Sequence, residues 1–323
     1  MTTSGTYVFN QNRDQIIRAA YRKVGAIAAG EIPSAQLIQD GADQLNSMVK
    51  YWMASGIHIW TETEAILYTQ MGQSVYVLGT NSPDHSATIY TTTSLTSNIP
   101  QGTTIIQVAS NYQITNGVNI GVILNTGQVF WTTVASFSGL SVTLAAPTTD
   151  SSAAGNNVYI TSPNIVRPLR IPQVRRWDSL SQIETPLVQM SRLDYFALPE
   201  KNILGTITQY YYDPQGGANN VGLLYVWPTA ADLIQNNLKF TFLRPIQDFN
   251  TAGNDPDLPQ EWINPLVWNL AYLMAPEFGV STEVYAMIKE QAVTSFAEVQ
   301  GWDREPESAF FGVNFTQGSY GSM

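Results

Sequence analysis

The chain has only two imidazoles. His58 sits in the alternating apolar run Ile57-His58-Ile59-Trp60 and His85 in a loop. Neither has a second histidine or an acid at metal-ligand spacing on its own element, so each reads as a structural or surface residue. Cysteine is absent, which removes disulfides, thiolate zinc sites and cysteine nucleophiles together. No Gly-Xaa-Ser-Xaa-Gly elbow is present, and Gly216-Gly217 stands in a loop with no helix following to receive a phosphate. Asn254-Asp255-Pro256-Asp257 lacks the central glycine and terminal glutamate of a calcium loop and reads as the approach to a helix. Glu62 and Glu64, at i and i+2, share one face of a strand and read as solvated rather than as the paired acids of a glycosidase. Trp131 and Tyr159 could stack on a sugar, although rings in a β-domain more often fill its core. The expectation is a chain that is not an enzyme, with no cofactor and no metal.

Two groups of residues read instead as contact surfaces. Arg167, Arg170, Arg175 and Arg176 place four of the fifteen cationic residues within ten positions. Pro168 and Pro172 exclude a helix there, so the stretch is extended. Such arginines suit a carboxylate surface on an adjacent subunit or partner, because the planar guanidinium makes two parallel hydrogen bonds; the alternative is an edge strand blunted by charge. In the tail, Trp302, Phe310, Phe311 and Phe315 stand among glycine and serine. Aromatics of this size bury on the order of 150–250 Å² each when packed.

The elements that would position these groups follow from periodicity. Asn12 with Gln15 makes a capping-box pattern, Ile16, Ala20 and Val24 recur on one face, and Gly25 stops the helix. A second helix runs from Pro33-Ser34 to about Ala54 on Ile38, Ala42, Leu45, Val49 and Trp52. Ala65 to Gln70 and Ser74 to Leu78 have hairpin spacing about Met71-Gly72-Gln73. From Ser86 to Val166 the only formally charged residue is Asp150. Short β runs appear there at 103–108, 119–124, 129–134, 141–144 and 158–161, separated by turn residues. A short helix capped by Ser191 follows, then strands at 207–212, 223–227 and 238–243. Two helices close the chain, one burying Ile263, Leu266, Val267, Leu270, Leu273 and Met274, the other Val284, Met287, Ile288, Ala292 and Phe296.

The 323 residues carry a formal net charge of -10, with 44% hydrophobic and only 12% charged residues. That is too apolar for disorder and too acidic for tight nucleic-acid binding. No apolar run approaches the ~18 residues that would span a bilayer, and the N-terminus lacks signal-peptide regions. The expected fold class is α+β: an antiparallel helical bundle of N- and C-terminal helices plus a β-platform (residues 1–85 and 167–323), with an inserted all-β barrel or sandwich (86–166).

Two stretches resemble the podovirus head-to-tail adaptor family, also called tail tubular protein A or packaged-DNA stabilisation protein. One is Leu45-Asn46-Ser47-Met48-Val49-Lys50-Tyr51-Trp52 followed by Ile59-Trp60. The other runs through Arg244-Pro245, Leu258-Pro259-Gln260-Glu261-Trp262, Leu266-Val267-Trp268-Asn269-Leu270-Ala271, Ala275-Pro276-Glu277-Phe278-Gly279 and Gly301-Trp302-Asp303. The resemblance covers about three-quarters of the chain and leaves 86–166 without a counterpart. It implies a structural virion protein in the neck or tail, assembled as a homo-oligomeric ring, typically of twelve subunits. It would join the portal protein to a tail nozzle or tube protein, with DNA only as passing cargo and no membrane partner. Residues 86–166, without a counterpart there, are candidates to reach the capsid vertex, tail fibres or a neighbouring subunit, and the tail aromatics Trp302, Phe310, Phe311 and Phe315 are candidates either to contact the portal or to fold back onto the chain's own core. The alternative is another tail component whose β-domain binds glycan.

Overall fold

The computed structural model describes residues 5–7, 9–54, 61–215, 220–233 and 236–302. The helices are α1 (Arg13–Val24), α2 (Ala35–Ala54), α3 (Arg192–Ala197), α4 (Ile263–Met274) and α5 (Thr282–Trp302). The strands are β1 (Glu62–Leu67), β2 (Val75–Leu78), β3 (Ser86–Ala87), β4 (Tyr90–Ser94), β5 (Ile105–Gln107), β6 (Asn119–Ile123), β7 (Val129–Ser138), β8 (Ser141–Leu144) and β9 (Asn157–Thr161). They continue as β10 (Arg170–Trp177), β11 (Glu184–Pro186), β12 (Val188–Gln189), β13 (Leu204–Gly205), β14 (Gln209–Asp213), β15 (Gly222–Trp227), β16 (Thr229–Ala230) and β17 (Asn237–Leu243). The chain divides into two compact units, Met1–Trp60 with Ile246–Met323, and Thr61–Pro245.

The protein is mainly β, which corrects the expected α+β fold founded on an antiparallel bundle of N- and C-terminal helices. Among the described residues five helices stand against seventeen strands in four sheets. The cause of the misreading is physical. A cap and a 3.6-residue stripe are local and easily read, whereas strands of two or three residues such as β3, β11, β12, β13 and β16 exist only through distant partners.

In the first unit, α1 begins where the Asn12 side chain accepts from the Gln15 N–H and the Gln15 side chain accepts from the Asn12 N–H, both at 3.0 Å. This reciprocal cap contributes on the order of 1 kcal/mol. Gly25, at φ 78°, ends the helix in the left-handed region. Ile16, Ile17, Ala20 and Val24 join Leu45, Val49, Trp262, Leu266 and Leu270 in one core. Trp52, Trp262 and Phe296 form an aromatic triad within it, at centroid separations of 4.9, 5.8 and 6.1 Å. Arg13, off the apolar stripe of α1, is nevertheless buried against Asp14 and the carbonyl of Asn250. Of the α5 residues expected to face inward, Ile288 and Ala292 are fully buried and Phe296 partly so, while Val284 and Met287 are exposed, as is Leu273 of α4.

The second unit holds all four sheets. A five-stranded sheet, in the order β11-β10-β17-β1-β3, faces a four-stranded sheet, β12-β14-β15-β2. Ala65, Leu67, Val174, Phe240 and Phe242 of the first meet Tyr76, Leu78, Tyr210, Tyr212, Leu224 and Val226 of the second in a shared core. Burying each of the larger apolar side chains is worth roughly 1.5–3 kcal/mol. The expected hairpin of 65–70 with 74–78 does not form. β1 pairs with β17, Glu62 opposite Leu243, and β2 pairs with β15, Val75 opposite Tyr225, so the two strands lie in different sheets. Single-face alternation is equally compatible with a hairpin and a sandwich, and only the distant partners decide.

The remaining six strands, in the order β4-β9-β6-β7-β8-β5, curl on themselves. Leu95 bridges Val108, and Ala109 N–H reaches the Ser94 carbonyl at 2.9 Å, so the outer strands meet and the sheet closes into a barrel. Its interior is aliphatic: Leu95, Ile106, Val108, Ile120, Val122, Val134, Val142, Val158 and Ile160. The barrel stands on the face of β1 and β10 turned away from the sandwich core, where Ile66, Tyr68 and Trp177 cluster with Val129 and Tyr159.

Candidate functional site

Among the described residues no group of three or more histidines, cysteines or acids could hold a metal ion, and no helix is long and apolar enough to cross a membrane. The groups with distinctive surroundings form a joint, a charge ladder and an apolar run.

The joint lies between barrel and platform. Tyr68 and Tyr159 stack at 3.9 Å, and Trp131 lies beside them at 6.0 and 6.4 Å. Trp131 fits flat because position 121, opposite it on β6, is glycine; a Cβ there would come within 2.8 Å of the indole. The His85 ring stacks on Trp131, with the centroids 4.0 Å apart. Gln70 binds the Val129 backbone through both its amide atoms, and Gln128 donates to the Met71 carbonyl at 3.2 Å. Burial pushes the Tyr68 hydroxyl well above the usual phenol range, raises that of Tyr159, and holds the His85 imidazole down at about 4. Tyr159 is fully buried, so no sugar can stack on it. His85 belongs to this joint, while His58 lies outside the described residues. The place of His85 beside Trp131 could not be read from sequence, because one ring comes from a platform loop and the other from a barrel strand.

The arginine group is divided by the fold. Arg175, on β10, forms ion pairs with Glu64 of β1 and Glu184 of β11, and Lys239 of β17 joins Glu184 at 2.7 Å. Lys239 also lies 4.5 Å from the Trp177 ring. Arg167 donates to Asn220 Oδ1 at 2.7 Å and to the Pro214 carbonyl at 2.8 Å. Both therefore have partners within their own chain. Arg170 is exposed at the start of β10 and Arg176 is half-buried near its end. Glu64 is solvent-exposed, as expected, and is also one rung of the ladder. Trp302 is the last residue of α5, and Phe310, Phe311 and Phe315 lie outside the described residues.

The edges of the four-stranded sheet differ. On β2 the Asp84 carboxylate accepts from the Val77 N–H at 2.6 Å, Ser82 Oγ donates to the Val77 carbonyl, and Gln73 donates to the Val75 carbonyl at 2.8 Å. Side chains thus occupy the groups that another strand would use. At the opposite edge the chain passes from β11 through buried Leu187 into β12, changing sheets as it goes: Leu187 N–H bonds to the Val174 carbonyl and Val188 N–H to the Thr208 carbonyl. Around this passage Leu180, Ile183, Val188, Leu193, Phe196, Ile203 and Leu204 are all exposed. Leu193, Phe196 and Arg192 line an open groove on α3. Beneath it Tyr195 packs 4.9 Å from Tyr225, itself 5.5 Å from Tyr211. Sequence periodicity missed this run because its residues alternate between short elements with no single repeat.

No protein-family model matches the chain, and no curated protein does. Among solved structures, VP17, a capsid protein of bacteriophage P23-77, aligns at 10% identity over 61% of this chain and 73% of that one, with a TM-score of 0.12. A likeness that slight carries no argument about fold or function.

Proposed function

We propose that this chain is a structural virion protein, the adaptor that forms a ring below the portal of a short-tailed phage and joins it to the tail. The observation that carries the reading is the exposed apolar run from Leu180 to Leu204. Single apolar residues on a surface need no explanation, but seven in one stretch fit a chain that completes itself by assembly. The residue pattern from Arg244-Pro245 to Gly301-Trp302-Asp303, which resembles the adaptor family, supplies the kind of assembly. The partners are the portal protein, the tail nozzle or tube protein and neighbouring copies, with capsid or tail fibres reached through residues 86–166. DNA passes without being held: the net charge of -10 disfavours phosphate retention on a channel wall. The glycan-binding alternative is weakened by the burial of Tyr159.

The test is negative-stain microscopy of purified protein mixed with purified portal. A ring docked coaxially on the portal is expected; a protein that stays monomeric and leaves the portal bare overturns the reading.

A further inference from the structure

We propose that His85 is an acid-operated latch: charging its ring loosens the joint between barrel and platform while both apolar cores stay assembled. The geometry places one ring at the place where the two bodies meet. His85 lies between β2 and β3 of the platform, and its stacking partner, Trp131, is on β7 of the barrel, 4.0 Å away with the planes 24° apart. The His85 carbonyl accepts from the Tyr68 N–H as the next rung of the β1–β3 pairing, which fixes its backbone to the platform. His85 Nδ1 is buried without a hydrogen-bond partner. A proton added there would create a charged donor with no acceptor, against the face of the Trp131 indole.

The ionisable groups on the packed elements offer no relief. Asp84, next in the loop, is already occupied by the Val77 N–H and the Gln73 amide. Tyr68 and Tyr159 are held neutral by burial, Tyr90 of β4 lies against Trp177, and Asp232 acts on Tyr159. A cation over an indole gains some attraction, but burial outweighs it, and the imidazole stays near 4 instead of 6.5. The sign follows. A histidine depressed in the closed joint takes up its proton on opening, so the joint is at full strength above about pH 6.5. It weakens as pH falls toward 4 and weakens no further below that. Linkage raises the opening equilibrium roughly tenfold or more between pH 7 and pH 5. The hydrophobic core of the barrel contains no ionisable side chain.

Hydrogen exchange on the full chain, corrected for intrinsic rates and followed by mass spectrometry at pH 7, 6 and 5, tests the latch. The reporter is the Val129 amide, bonded across the joint to Gln70. Its protection should fall about tenfold or more from pH 7 to pH 5, while Ile120 and Val122 of the barrel and Leu238 and Phe240 of the sandwich hold theirs. His85→Phe should abolish the pH response, and His85→Gln, neutral and milder in shape, should do the same. A flat wild type, an unchanged response in a folded variant, or simultaneous loss of protection in both cores overturns the proposal.

Discussion

Gln70 and Val129 are joined twice: the Gln70 amide nitrogen donates to the Val129 carbonyl and its oxygen accepts from the Val129 N–H, each at 2.9 Å. A side chain of the platform thereby copies the pairing of a neighbouring strand at the end of the barrel. Gln70→Ala should leave both backbone groups of Val129 unsatisfied, at a cost of about 1–3 kcal/mol apiece if water cannot replace the amide. Thermal unfolding followed by circular dichroism should register a loss of several degrees. An unchanged Tm would mean that the two bonds contribute nothing net.

Gly222 lies diagonal to Tyr212 on the β14–β15 pair, and an added Cβ would come within 2.7 Å of the ring carbon that bears the hydroxyl. That hydroxyl donates to the Pro168 carbonyl at 2.6 Å, so the ring cannot move without breaking the bond. Gly222→Ala should destabilise by about 1–3 kcal/mol through overcrowding. Gly222→Ala combined with Tyr212→Phe should lose less than the sum of the two single changes. Strict additivity in denaturant titrations would argue against the clash.

Asp84→Ala removes the acceptor from the Val77 N–H and one partner of the Gln73 amide. The β2 edge is then open to another strand. Light scattering should show concentration-dependent self-association of Asp84→Ala at pH 7, absent in Asp84→Asn, whose carbonyl can still accept. Equal behaviour of the two variants would show that the edge is not what the carboxylate guards.

Excising the barrel, residues 90–161, should expose Ile66, Tyr68 and Trp177, which share a cluster with Val129 and Tyr159. Increased binding of a hydrophobic dye by the shortened protein is expected, along with a lower Tm. The barrel expressed alone should fold, because its aliphatic core closes without the platform. A natively stable remainder with no added dye binding would contradict the packing at the joint.

Local features were legible in the sequence and distant ones were not. The Asn12–Gln15 cap, the Gly25 stop, the Ser191 cap and the β runs of 119–124 and 129–134 are written in neighbouring residues, and each forms. The assignment of β1 and β2 to separate sheets depends on β17 and β15, far along the chain, and the helical stripes drew more weight than those strands. The same applies to the joint. His85 and Trp131 each look unremarkable in sequence, and only the fold brings their rings together. Arg175 was conspicuous as one of a cluster, yet its partners Glu64 and Glu184 were visible only once the sheet order was known.

The passage from β11 through Leu187 to β12 has a mechanical consequence. One short length of backbone is hydrogen-bonded to Val174 in the first sheet and to Thr208 and Tyr210 in the second, with Leu187 set in the core between them. Sliding one sheet over the other must therefore tear this length of chain from one side or the other. It acts as a rivet at the rim of the sandwich. A pull on either sheet is shared by both, and the sandwich should resist shear as a single plate rather than yield as two.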